Sequence, residues 1–89
     1  MNQIKNIEVK FKCFDFPKEQ QIKVINVKSE WRIGKVKGLV RQAYRINPSY
    51  FIELTLKGEI LPNDKLINEL VFSPEKDSIK VMVSNPNKI

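Results

Sequence analysis

Few residues of this 89-residue sequence could do covalent chemistry. Cys13 is the single cysteine, with Lys10 and Lys12 close by. A thiol becomes a nucleophile when neighbouring groups lower its pKa, and catalysis then needs a base and an oxyanion site. No histidine is present, so the commonest general base is missing. One cysteine without histidine offers no metal-ligand spacing, and the three glycines, Gly34, Gly38 and Gly58, form no phosphate-cradling loop. The expectation is therefore a chain that is not an enzyme and takes no cofactor or metal, with Cys13 a small apolar residue at a strand end. A lone thiol suits a reducing compartment, cytoplasmic or nuclear-facing.

Charge is the other chemistry on offer. Sixteen Lys and Arg against ten Asp and Glu give a net charge of +6. Many lysines alternate with apolar residues, as in Ile7-Glu8-Val9-Lys10-Phe11-Lys12, the pattern of a strand with one solvated face. A second group, Arg32, Lys35, Lys37, Arg41 and Arg45, falls in a helical segment and supplies an alternative function: a basic helix face for nucleic acid or an acidic partner. Aromatic platforms for stacking single-stranded bases are few.

These side chains need elements to position them. Residues 5–13 alternate as a strand, and residues 14–19, with Pro17 and two acids, read as a turn. The run Ile22-Lys23-Val24-Ile25-Asn26-Val27 is a second strand whose apolar parity switches midway. A bulge there would bring both apolar pairs to one face. Ser29 and Glu30 supply a capping hydroxyl and a first-turn acid for a helix. Its buried stripe is Ile33, Val36, Val40, Ala43 and Tyr44, and Asn47-Pro48 ends it. Ile52, Leu54 and Leu56 alternate in a third strand, and Ile60-Leu61 forms a short extended piece. Residues 65–70 hold one helical turn, and Ile79, Val81 and Val83 mark the last strand. Residues 1–84 read as one domain and 85–89 as a polar tail or linker start. No apolar stretch approaches the roughly 20 residues that span a bilayer, so direct membrane insertion of this segment is not expected. The order predicts an α+β fold: a β-grasp with a mixed sheet of four to five strands and one helix packed across one face.

The block Leu54-Thr55-Leu56-Lys57-Gly58-Glu59-Ile60-Leu61, the apolar triplet Ile67, Leu70 and Phe72, and the final alternation at 79–83 keep the order and spacing of one family. Together with Ile33, Val36 and Val40 they resemble the ubiquitin-like domains over about residues 7–84. Trp31-Arg32-Ile33-Gly34-Lys35-Val36-Lys37, with Tyr44 and Pro48, is similar to the ubiquitin-like domain of the homocysteine-responsive endoplasmic reticulum protein, the cytosolic head of a membrane-attached degradation factor. This chain departs from conjugated relatives in carrying no diglycine, since an unhindered glycine carboxylate is what adenylation requires.

The resemblance implies a non-conjugatable adaptor domain, expected as a monomer, that docks on ubiquitin-receptor or protein-degradation machinery. It also implies a partner-binding sheet face. The family's loop leucine falls near Phe14, its central isoleucine at Thr55, its late-strand valine at Met82 and the neighbouring histidine at Lys80. The arginine beside the isoleucine becomes Glu53. Phe14, Thr55 and Met82 rimmed by Lys12, Lys57 and Lys80 are the implied patch. The competing expectation is that Phe14 and Phe16 fold back onto the core.

Overall fold

Backbone hydrogen bonding turns the alternating segments into one sheet in the computed structural model, which describes residues 5–85. Strands β1 (Asn6–Lys12) and β2 (Ile22–Lys28) form an antiparallel hairpin, and helix α1 (Ile33–Tyr44) follows. Then come β3 (Phe51–Leu56), β4 (Glu59–Ile60), a 3-10 turn at Ile67–Glu69 and β5 (Ser78–Ser84). The sheet order is β2-β1-β5-β3-β4, with β1 and β5 parallel at the centre and the other pairs antiparallel. This is the expected β-grasp arrangement.

One face of the sheet is closed by α1. Val9, Phe11, Val27, Ile52, Leu54, Ile79 and Val81 bury against Ile33, Val36, Val40 and Tyr44. Burying such aliphatic side chains contributes about 1.5–3 kcal/mol each. Cys13 is fully buried at the end of β1, where burial pushes its thiol up and away from the reactive thiolate.

Three local expectations are corrected. The β1–β2 register runs unbroken from Asn6↔Lys28 to Lys12↔Ile22, so β2 has no bulge. Its apolar residues divide between the faces instead, with Ile25 and Val27 toward the helix and Ile22 and Val24 on the open side. The helix start is not capped by Ser29, whose hydroxyl accepts from the Lys5 N–H (3.4 Å). The first helical N–H groups are satisfied by the main chain of the 62–65 turn: Ile33 donates to the Lys65 carbonyl (2.8 Å) and Gly34 to that of Asn63 (2.9 Å). The helix also stops before Asn47-Pro48. Arg45 takes a left-handed conformation (φ 55°), and Ile46 N–H returns to the Arg41 carbonyl (2.9 Å), a Schellman closure.

Of the expected tail at 85–89, Asn85 donates its amide to the Tyr50 hydroxyl (3.4 Å), and 86–89 lie outside the described residues.

Candidate functional site

The face of the sheet away from α1 carries no helix among the described residues, with Pro74 and Glu75 bordering it beside Lys10 and Val24, and strand registers fix which side chains share it. Ile22 opposes Lys12, Lys12 opposes Lys80, Lys80 opposes Thr55, and Thr55 opposes Ile60. Directly opposed residues share a face, so these five form a row across the whole sheet. The same registers add Val24 beside Lys10, Met82 beside Glu53, and Phe51 beside Ser84. Among the described residues, every large apolar side chain that is exposed, Val71 excepted, belongs to this face.

Phe14 reaches the face from the loop after β1. It is 56% exposed, and its ring centroid lies 4.8 Å from Lys12 Nζ and 5.4 Å from Lys80 Nζ. The two neighbouring ammonium groups share one aromatic ring, an attraction of about 0.5–1 kcal/mol at exposed sites that offsets part of their mutual repulsion. Met82 is 45% exposed and supplies a flexible, polarisable apolar surface. Phe16, by contrast, turns inward and packs on Tyr44 at 5.1 Å between centroids. The fold-back expectation holds for Phe16 and fails for Phe14, because only Phe16 reaches the helix.

Thr55 is buried in the middle of the row. Lys57 leaves the group: the Lys57–Gly58 pair forms the tight β3–β4 turn with positive φ at both residues, and Lys57 Nζ is held by the Val71 carbonyl (3.2 Å) and Asp77 (3.7 Å). Glu53 sits beside Met82 by register, yet its carboxylate pairs with Lys37 of α1 (3.7 Å). Lys10, Lys12 and Lys80 thus outnumber the acid Glu8, which the register sets on the same face, and give the face a positive balance.

The five basic residues of the helical segment are not brought onto one surface. Arg32 lies before the helix and donates to the Asp64 carbonyl (2.7 Å). Lys35 stands over the Trp31 ring (4.5 Å). Lys37 pairs with Glu53, and Arg41 donates to the carbonyls of Asn47 and Tyr50 (both 2.9 Å). Arg45 is the left-handed cap. At 100° per residue, Lys35 and Lys37 fall on opposite flanks of the buried stripe.

Neither a protein-family model nor a curated protein matches the sequence. Among solved structures, the chain is similar to the C-terminal ubiquitin-like domain of mouse tubulin-specific chaperone e. The TM-score is 0.67 at 21% identity, covering 100% of this chain and 97% of that one. The fold is ubiquitin-like. A likeness at this identity speaks for architecture alone.

On this ubiquitin-like scaffold the open face differs from the one the sequence resemblance implies. Thr55 holds its centre as the resemblance implies, but Lys57 is drawn away, and Ile22, Val24, Phe51 and Ile60 widen its apolar margin. Sequence reasoning missed those four. The parity of Ile22 and Val24 was the available signal, as was the two-residue turn that places Ile60 opposite Thr55. Among the described residues no group of side chains is arranged to hold a metal ion, and no helix is long and apolar enough to cross a membrane.

Proposed function

We propose that this chain is a ubiquitin-like protein-interaction domain, a non-conjugatable adaptor rather than an enzyme, whose open sheet face docks on ubiquitin-recognising or protein-degradation machinery. The observation that carries this reading is the gathering of exposed apolar side chains on one face, interleaved with Lys10, Lys12 and Lys80. A scattered set of exposed apolar residues needs no explanation, whereas a contiguous one marks a contact surface. The partner element that fits is an amphipathic helix with carboxylates beside its apolar ridge. Phe14 and Met82 offer the apolar contact, and a carboxylate over Lys12 and Lys80 relieves their like-charge proximity. The domain acts as a monomer in a cytoplasmic or nuclear-facing compartment, alone or as the cytosolic head of a longer membrane-attached protein.

The nucleic-acid alternative through Arg32, Lys35, Lys37, Arg41 and Arg45 has less support, because four of these five side chains already engage groups within the domain.

Binding of a helical ubiquitin-receptor segment, measured by calorimetry on the full chain and its variants, tests the proposal. Phe14→Ala is expected to weaken binding by about tenfold, the loss of a modest interface anchor. Arg41→Gln is expected to leave binding unchanged. Equal affinity for Phe14→Ala and the parent chain would remove the open face from the account. Duplex DNA binding whose affinity collapses between low and moderate salt would favour the alternative.

A further inference from the structure

Arg45 holds a conformation that its residue type disfavours and leaves its charge unused. The left-handed position after a helix is ordinarily glycine or asparagine, yet here an arginine has φ 55°. The other four basic residues of the helical segment engage groups within the domain. The Arg45 guanidinium makes no hydrogen bond, ion pair or ring contact among the described residues. Backbone strain kept where a glycine would relieve it points to a use for the side chain.

That side chain lines a cleft of about 520 Å³ where the end of α1, the loop after β1 and the end of β5 meet. Volumes of this order hold a small ligand or one or two residues of a peptide. The apolar floor is fixed by the fold. Phe16 packs on Tyr44, Ile46 is buried with its N–H on the Arg41 carbonyl (2.9 Å), and Val83 packs against the core. Tyr50 is held through its main chain: its N–H donates to the Asn47 carbonyl (3.0 Å), and its carbonyl accepts from Arg41 (2.9 Å). Its hydroxyl accepts from the Asn85 amide (3.4 Å), which leaves the phenolic proton for a ligand. Asp15 adds the opposite charge. Its carboxylate accepts a weak bond from the Cys13 thiol (3.9 Å) and is not paired with Arg45.

These groups select a ligand by what each would leave unmatched. A phosphate brings nearly two negative charges and is repelled by Asp15. A cation alone meets Arg45, and an apolar group alone leaves both charges without partners. The terminal residue of a polypeptide matches all of them. Its carboxylate fits the planar fork of an arginine, its amide N–H can donate to a carboxylate, and its side chain covers an apolar floor.

We propose that this cleft captures the free C-terminus of a partner protein that ends in a large apolar residue. Arg45 and the Tyr50 hydroxyl bind the terminal carboxylate, Asp15 accepts from the last amide N–H, and the side chain rests on Phe16, Ile46 and Val83. The cleft shares no side chain with the Phe14–Met82 region, so either surface can fail in experiment while the other stands.

The probe is the N-acetylated pentapeptide Gly-Ser-Gly-Val-Leu with a free carboxylate, titrated into the isotopically labelled full chain. Saturable shifts are expected at the Phe16, Ile46, Tyr50 and Val83 amides and at Arg45 Nε. The same peptide with an amidated C-terminus is expected to bind at least about tenfold more weakly. Arg45→Gly is expected to weaken binding by about tenfold while the thermal midpoint is kept or raised, which separates lost recognition from lost folding. Tyr50→Phe is expected to weaken it by about threefold. Unchanged spectra at millimolar peptide would overturn the proposal. So would equal binding of the amidated peptide or of Arg45→Gly, or shifts confined to Phe14, Lys80 and Met82. N-acetyl-leucine binding as tightly as the pentapeptide would overturn the partner-protein occupant and assign the cleft to a small carboxylate.

Discussion

Tyr44 ties three elements together through one hydroxyl. It donates to the Gln21 carbonyl (2.6 Å) and shares that proton with the Phe11 carbonyl (3.1 Å), so the end of α1 is pinned to the β1–β2 hairpin. Tyr44→Phe leaves these carbonyls short of a donor and is expected to cost about 1–2 kcal/mol in a urea melt. Burial also holds the phenol up at about 12 against its ordinary 10.0. Above 10.0 the unfolded chain gives up this proton first, so the contribution of Tyr44 is intact below that pH and is lost as pH rises through about 12. Melts over that range should show a steeper alkaline decline for the parent than for Tyr44→Phe. Identical slopes would show that Tyr44 is not the group responsible. Cys13 belongs to the same scale: buried, with its thiol pushed up, it is expected to react with a thiol reagent only when the domain opens. Rapid labelling under native conditions would contradict its burial.

Elements hold together here by main-chain closure more than by side-chain caps, and this limits what sequence alone could reveal. The alternation of Ile7, Val9 and Phe11 and the helical stripe from Ile33 to Tyr44 were legible, because burial selects residue type at a fixed period. The helix ends were not. The N-terminal cap comes from carbonyls some thirty residues away, and the C-terminal one from a left-handed Arg45 that carries no glycine signal. Arg45→Gly is therefore expected to stabilise the domain, by up to about 1 kcal/mol, by relieving that conformation. Gly38 lies in the interior of α1, with open space where a Cβ would stand. Gly38→Ala should stabilise by about 1 kcal/mol as well. At Gly58, with φ +84°, the same change is expected to destabilise, because the turn demands a left-handed residue there. Thermal or urea melts of the three variants check these signs together.

For the whole molecule, topology decides what the surface can do. The parallel pairing of β1 with β5 sets Lys12 beside Lys80, and the β3–β4 turn adds Ile60 to a row that begins at Ile22 on the far edge. The family resemblance implied one surface for Phe14, Thr55, Lys80 and Met82; the registers set Thr55, Lys80 and Met82 on the open face, and Phe14 reaches it from the loop after β1. The resemblance could not show that Lys57 would be drawn off to Asp77, or Glu53 to Lys37, because long side chains choose partners across the fold rather than along the sequence. The electrostatic character of the face follows from those two diversions, and it predicts a protein complex with modest salt dependence rather than the steep dependence of a phosphate-binding surface. The most direct measurement is an amide-resolved NMR titration of the full chain with a helical ubiquitin-receptor domain at moderate salt. Saturable shifts are expected at Lys12, Phe14, Thr55, Lys80 and Met82, with α1 between Lys35 and Arg45 undisturbed. Silence across the open face at millimolar receptor, or shifts gathered on the helix instead, would contradict docking on this face.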